Sequence, residues 1–442
     1  MKIINNVVVE SVDLCGNGIA KIDGKTIFIP QTLPEEIVDI EIIKDKVNFS
    51  KAKLLQIIKK SQYRIEPHCK HFDKCGGCSL QHIDFNKQIE YKEKSLIDNF
   101  KHIGNVSPEE IFQPITGDFL GYRFRARLSV RYVEKKGRVL VGFHEKASSF
   151  VADISECLIL PPHISKLILP LSELIASLSK YNKIPQIEVA VGEKISIMVL
   201  RVMEELSIGD KDKLIQFIDK FTNPEYPLQF WLQPKGPDSC FPFYPQSTHR
   251  LDYTLPNFEI TIPFYPTEFT QINFNVNKRM IDLAIELINP NLNDIIIDFF
   301  CGIGNFTLPL AKFAKQIIGI EGSIQLVNRA KENAKFNKLE EKASFYQLDL
   351  FKVTPCDLNK FPNANKWLID PPRDGAIELL KQIDEVNFPK TIVYISCNPA
   401  TLARDSNILV KLHGYCLKAS GIINMFPQTA HVESIALFTK DY

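Results

Sequence analysis

The chain has almost no excess of charge of either sign: 53 Lys and Arg stand against 52 Asp and Glu, for a net charge of +1. A nucleic-acid partner therefore cannot be argued from bulk charge, only from where basic residues cluster. Cysteine is sparse, ten in 442 residues, too dilute for a disulfide scaffold. No apolar run reads as membrane-spanning, since the longest, 158–178, is broken by His163, Lys166 and Glu173. The first thirteen residues hold only the short apolar run Val7-Val-Val9 and no cleavage-like site, so they do not read as a secretory signal. Internal repeats and low-complexity segments are absent too. These absences exclude membrane, fibrous and disulfide-stapled classes and lead us to expect a cytoplasmic protein. With 45% hydrophobic and 24% charged residues it has the composition of a globular chain, and its length implies two or three domains.

Three stretches differ in pattern. Residues 1–60 alternate apolar and polar positions in short runs separated by Gly16, Gly18, Gly24 and Pro34, the signature of a small β-barrel. A charged, helix-like segment, 86–102, follows, and strands resume at Tyr122. Residues 235–266 are rich in Pro and Phe and read as a boundary. Beyond them, apolar strands at 295–297, 317–320, 367–369 and 392–395 alternate with helical stretches such as 323–337, which predicts βαβ units and a mostly parallel sheet.

The run Asp298-Phe-Phe-Cys-Gly302-Ile-Gly304-Asn305-Phe-Thr is a strand, a tight glycine loop and a helix start. A dinucleotide fold would want a third glycine where Thr307 stands, and no Lys or Arg in the loop could hold a phosphate. Glu321, Asp349 and Asp370 close the next three strands, so with Asp298 four acids line one sheet edge. A cationic, phosphate-free cofactor such as S-adenosylmethionine suits this edge better than NAD. A glycine loop that binds nothing is the alternative. The strand Thr391-Ile-Val-Tyr-Ile-Ser396 delivers Cys397 to the same edge, just before a helix whose dipole is expected to bias the thiol toward thiolate. Cys397 as buried filler is the competing reading. Glu433 near the C-terminus is of the right type for a proton acceptor, with His431 as its rival. Nucleophile, methyl donor and base together describe methylation of uracil: a thiolate adds at carbon 6, carbon 5 captures the methyl group, and a base removes the carbon-5 proton.

Two further clusters stand out. Cys69-x5-Cys75-x2-Cys78, with Cys157 far downstream, is a three-plus-one arrangement that fits an iron–sulfur cluster better than zinc, although His68, His71 and His82 keep zinc open. In Tyr122-Arg-Phe-Arg-Ala-Arg-Leu-Ser-Val-Arg131, period two puts Arg123, Arg125, Arg127 and Arg131 on one face, opposite Phe124, Ala126, Leu128 and Val130. Seven basic residues and one acid fall between 121 and 138, which favours phosphate contact over a solvated face balanced by acids across the sheet. The lysines at 51, 53, 59 and 60 extend the basic track. The target uridine must leave its stack to react, and Phe269 and Phe300 are candidate stacking residues, though core is the commoner fate of phenylalanine.

Taken in order, Phe269-Thr-Gln271-Ile-Asn, the Asp298 glycine loop, Asp370-Pro-Pro-Arg, Ser396-Cys-Asn-Pro-Ala-Thr-Leu-Ala-Arg-Asp and His431-Val-Glu resemble the RNA uracil-5 methyltransferase family over essentially the whole chain. The resemblance implies Cys397 as nucleophile and Glu433 as proton acceptor. It places Gln271, Phe300, Asn305, Glu321, Asp349 and Asp370 around S-adenosylmethionine or the uracil. The resemblance is closest to the branch acting on 23S rRNA, which implies a 4Fe–4S cluster on Cys69, Cys75, Cys78 and Cys157, used as a brace, and an N-terminal TRAM barrel. The fold class this implies is α/β and β multidomain: residues 1–61 a TRAM-like RNA-binding barrel, 62–80 with 113–266 a central β-rich iron–sulfur domain, and 81–112 with 267–442 a Rossmann-like methyltransferase domain. The implied target is uridine 1939 of 23S rRNA, free or in assembly intermediates, and the enzyme is expected to be a monomer. Another 23S uridine or the tRNA T-loop are alternatives. A non-catalytic RNA-binding or assembly factor is another, opposed by the joint presence of Cys397, Glu433 and the acid row.

Overall fold

Alternating side chains in the first sixty residues build a six-stranded sheet in the computed structural model, which describes residues 2–246, 249–383 and 388–440. Its strands run in the order Lys2–Val8, Ile37–Asp45, Phe49–Lys59, Lys25–Pro30, Asn17–Ile22, Ser11–Val12. They wrap a small core of Val7, Val9, Ala20, Ile27, Ile29, Val38, Ile40 and Ala52. Strand Phe49–Lys59 leaves Lys51, Lys53 and Lys59 exposed, with Lys60 just beyond it.

Residues 61–84 form no regular element and carry three of the clustered cysteines. They lie against a second six-stranded sheet, ordered Phe241–Tyr244, Leu228–Gln233, Ser196–Arg201, Gln186–Val191, Arg125–Val133, Arg138–Gly142. Cys75 bridges Glu145 there, and Gly76 N donates to His144 O at 2.8 Å. In Arg125–Val133, Ala126, Leu128 and Val130 are buried under the helices Ile168–Ser177 and Ile208–Phe221, as the period-two pattern requires.

A third large sheet has eight strands. Its numbered members are β1 (Ile295–Phe299), β2 (Gln316–Glu321), β3 (Ala343–Gln347), β4 (Lys366–Ile369), β5 (Thr391–Ser396), β6 (Cys416–Ile423) and β7 (Glu433–Thr439). They lie in the order β3-β2-β1-β4-β5-β7-β6, and the short strand Glu110–Ile111 closes the far edge beside β6. The first five are parallel, and β7 is antiparallel to both neighbours. A parallel sheet buries both faces, which is why β1 and β5 read as continuous apolar runs.

Helix α1 (Phe85–Asn99) starts where Asp84 caps the amides of Asn86 and Lys87, and a π-helical turn, Phe100–Gly104, prolongs it. Its end packs beside the eight-stranded sheet: a Cβ on Gly104 would lie 2.7 Å from Ala403 O in α4 (Pro399–Asn407). Helix α2 (Phe274–Ile288) and helix α3 (Ile324–Phe336), capped by Ser323, cover one face of the sheet. The stretch 235–266, expected to be connector, instead contains the strand Phe241–Tyr244 and a hairpin, Asp252–Leu255 with Ile260–Pro263. Four-residue strands interrupted by proline give too short an alternation to read. Their burial of Tyr253, Leu255, Ile260 and Ile262 against α2 is a tertiary effect. No helix among the described residues is long and apolar enough to cross a membrane.

Candidate active site

The strand order sets the site. Across the carboxyl edge from β3 to β7 the chain presents Asp349, Glu321, Asp298, Asp370, Cys397 and Glu433 in succession. Five of these six face a cleft with about 1600 Å³ of free space, open mouth included. The exception is Asp298. It is fully buried, accepts a 2.5 Å hydrogen bond from Thr307 Oγ, and is pushed up to about 8 by burial. The expectation of four ligand-facing acids is therefore corrected to three, because Asp298 points beneath the loop. Thr307, where a third glycine was missing, supplies its partner.

The loop after β1 turns through three left-handed residues, Phe300 (φ 64°), Gly302 (φ 54°) and Gly304 (φ 95°). A Cβ on Gly304 would crowd Leu308 at 3.1 Å. Glu321 braces the loop, taking Gly302 N at 3.1 Å and Ser323 N at 3.0 Å on its two oxygens. Phe300 lines the cleft beside Phe351, with ring centroids 5.7 Å apart. Asp349 lines it too and accepts Phe351 N at 3.1 Å. Asn305 reaches the cleft wall, but its amide is engaged inward: Tyr253 Oη donates to it at 2.7 Å, and it exchanges two 3.0 Å bonds with Asn277. Gln271 lies in the wall, and Phe269 stands at the mouth, 67% exposed.

Antiparallel pairing of β5 with β7 sets Ser396 opposite Ser434. The next residue on each strand is Cys397 and Glu433, so thiol and carboxyl meet at the same end of the sheet. Burial pushes the Cys397 thiol up to about 11, with Glu433 and Asp370 adding to the effect and Arg373 opposing it. Desolvation and the two acids thus work against the bias toward thiolate expected from the α4 N-terminus. Burial and Asp370 together raise Glu433, and burial raises Asp370 to about 7. His431 takes a 3.1 Å hydrogen bond from Arg373 on Nδ1, and burial holds it toward the neutral form.

The Asp370-Pro-Pro-Arg373 loop is fastened to α4. Asn398 Nδ2 and Thr401 Oγ each donate to Arg373 O at 3.2 Å, and Ala376 N donates to Asp405 Oδ2 at 2.8 Å. Gly375 permits this approach, since a Cβ there would meet Asp405 Oδ2 at 2.6 Å and φ is +79°. Sequence reasoning gives Arg373 no role of its own within its motif, and it misses Thr270, whose buried hydroxyl in the cleft wall has no partner among the described residues.

Cys69, Cys75, Cys78 and Cys157 line one small pocket with about 350 Å³ of free space. Burial pushes Cys78 and Cys157 up to about 12 and raises the other two. Among the described residues no three His, Cys, Asp or Glu side chains are grouped to hold a single ion. Of the histidines that kept zinc open, His71 lines the pocket, but its Nε2 accepts Ser155 N at 3.1 Å. The His68 ring packs at a tilt against Phe119, and His82 does so against Phe72.

The arginine row is largely spent within the protein. Arg125 donates to Glu268 O and, at 2.7 Å, to Pro266 O, so it braces the turn before Phe269. Arg127 pairs at 2.9 Å with Glu188, which lies directly across the sheet. Arg123 donates to Arg125 O at 3.0 Å and lies over Phe143, whereas Arg131 is exposed. An unbroken phosphate-binding ladder is therefore corrected: strand pairing supplies the opposing acid that one strand's sequence does not show.

Residues 255–441 match the family described as tRNA (Uracil-5-)-methyltransferase, and residues 5–55 match the TRAM domain. The 23S rRNA (uracil(1939)-C(5))-methyltransferase RlmD of Chromobacterium violaceum is 51% identical, over 98% of this chain and 84% of its own length. The chain belongs to the RNA uracil-5 methyltransferase family. RlmD of Nitrosospira multiformis is 49% identical over 98% of both chains. The fold is also that of the Pyrococcus abyssi tRNA (uracil-54, C5)-methyltransferase crystallised with S-adenosyl-L-homocysteine, with TM-score 0.74, 22% identity, and 99% of this chain and 100% of that one covered. In this chain β5 and β7 bring the Cys397 thiol and the Glu433 carboxyl to the same end of the cleft.

Proposed function

We propose that this chain transfers the methyl group of S-adenosylmethionine to carbon 5 of a uridine in 23S rRNA, the position that the RlmD names give as 1939. The observation that carries the reading is the pairing of Ser396 with Ser434, which sets Cys397 against Glu433 in the cleft that also holds the glycine loop. Cys397 Sγ adds to carbon 6. After methylation Glu433 takes the carbon-5 proton, the C–H electron pair becomes the ring double bond, and the carbon–sulfur bond breaks to return the thiolate. Bound donor supplies the methyl group and a positive charge that favours the ionised forms of Cys397, Asp370 and Glu433. Gln271, Phe300, Asn305, Glu321, Asp349 and Asp370 line the cleft and would hold S-adenosylmethionine or the uracil, with Glu321 and Asp349 offering acceptors to ribose hydroxyls.

Four thiols lining one small pocket suit a 4Fe–4S cluster, which Cys69, Cys75, Cys78 and Cys157 would hold. Held there, the cluster would brace the loop 69–78 against the segment at Cys157, without a redox role in methyl transfer. In this reading residues 1–61, and 62–80 with 113–266, grip RNA through Lys51, Lys53, Lys59, Lys60, Arg123 and Arg131, Phe269 stacks on a base, and 81–112 with 267–442 carry the chemistry. The test is to map the methyl group after reaction with unmodified 23S rRNA and tRNA. Label confined to uridine 1939 is expected, and label in the T-loop of tRNA overturns the substrate assignment.

A further inference from the structure

The loop 424–432 carries two cleft-lining side chains, Phe426 and His431, and ends at Glu433. Its middle is held from outside the catalytic sheet. Gln428 O accepts Ser79 N at 2.9 Å and Leu80 N at 3.1 Å. Gln428 N donates to Gln88 Oε1 at 3.2 Å, and Gln88 Nε2 donates to Gln428 Oε1 at 3.0 Å and on to Leu80 O and Ile83 O. The amide, the carbonyl and the side-chain oxygen of Gln428 are thus all taken up by residues 79–88. Gln428 is 2% exposed with φ at +66°, a conformation a non-glycine residue adopts only when its surroundings hold it there. Flanking bonds repeat the pattern. Tyr122 Oη donates to Pro427 O at 2.7 Å, and the buried Lys92 donates to Phe426 O at 2.9 Å and Asn424 Oδ1 at 2.8 Å.

The other end of this joint lies at the cysteines. Ser79 and Leu80 directly follow Cys78, and Cys78 and Gln81 line the four-cysteine pocket. Gln81 Oε1 also accepts Cys69 N at 2.9 Å. A shift of this segment reaches Gln428 through two backbone bonds, and Glu433 is five residues further along the chain.

We propose that Gln428 is a positioning residue for proton abstraction: gripped by Ser79, Leu80 and Gln88, it sets where the loop delivers Glu433, and so couples the four-cysteine segment to the release half of the reaction. The inference rests on the methyl-transfer reading above. The step in which Glu433 takes the carbon-5 proton and Cys397 leaves carbon 6 depends most directly on this placement, so disturbing the joint should leave the methylated adduct formed and slow to resolve.

The test uses Gln88→Met, which keeps buried volume and removes its bonds to Gln428 and to the two carbonyls. The expected result is a kcat lower by about tenfold or more, KM for RNA within about twofold, and a larger fraction of denaturation-resistant enzyme–RNA adduct during turnover. A lower kcat with no extra adduct, or an unchanged kcat per active site, overturns the proposal. If Gln88→Met does not fold, Gln428→Gly suits the positive φ, keeps the backbone bonds and is read in the same way. Coupling to the cysteines is read without substrate: Cys78→Ser should speed amide hydrogen exchange in 424–432, and unchanged exchange there breaks the link. A wild-type enzyme that methylates no RNA would instead sink the functional reading, while the exchange measurement still judges the joint.

Discussion

Cys397 and Glu433 are neighbours because β5 and β7 run antiparallel with Ser396 opposite Ser434. Had β7 joined the sheet parallel, like the strands before it, its first residue would lie at the opposite edge. Thirty-six positions separate the two residues in the chain, and one register brings them together.

That register makes their variants distinguishable. Cys397→Ala should abolish methyl transfer to unmodified 23S rRNA, while S-adenosylmethionine still binds by calorimetry. Glu433→Gln should lower turnover by about 10²–10⁴-fold and accumulate enzyme–RNA adduct on denaturing gels. Turnover by Cys397→Ala would remove the covalent mechanism.

Asp298 links pH to stability. Its carboxyl, normally near 3.8, sits at about 8 in the folded protein because it is buried. A group raised on folding lends stability that is complete below its unfolded value and is lost as pH climbs through its folded one. Between pH 5 and pH 8 the melting temperature of wild type should fall relative to Asp298→Asn, which mimics the protonated side chain, and the difference should level off above. A difference that stays constant across that window would refute the burial argument.

Arg125 and Arg131 were expected on one face but should behave differently. Arg125→Met strips donors from two carbonyls and should cost about 1–3 kcal/mol in denaturant unfolding, with a higher KM for RNA as the turn before Phe269 loosens. Arg131→Ser should leave stability unchanged and reduce the salt dependence of RNA binding by about one phosphate contact. Equal effects in both assays would show that the two arginines share a role.

For the cysteine pocket, anaerobically purified protein should contain iron and sulfide and absorb broadly in the visible. Cys157→Ser should lose that absorbance and melt at a lower temperature. Zinc in place of iron would overturn the cluster assignment.

Chemical types and their order are legible in the sequence: a glycine loop after β1, an acid at each following strand end, a thiol before α4 and a carboxylate near the C-terminus. Such features are local, because a strand, its turn and the next helix's cap lie within about fifteen residues of each other. Ser323 and Asp84 announce their helices in the same way. The hairpin 252–263 is hidden from such reading because its strands gain their order from contact with α2 rather than from their own length.

What the amino-acid order determined by itself is which groups exist and which faces they occupy, since side-chain period and turn chemistry are properties of neighbouring residues. Tertiary structure alone decided which groups meet and in what state. It turned Asp298 inward onto Thr307, paired Arg127 with Glu188, spent Arg125 on the turn before Phe269, and raised the Cys397 thiol by burying it, beside two acids. Desolvation and charge pairing depend on distances through space, and those distances do not exist until the sheets have closed.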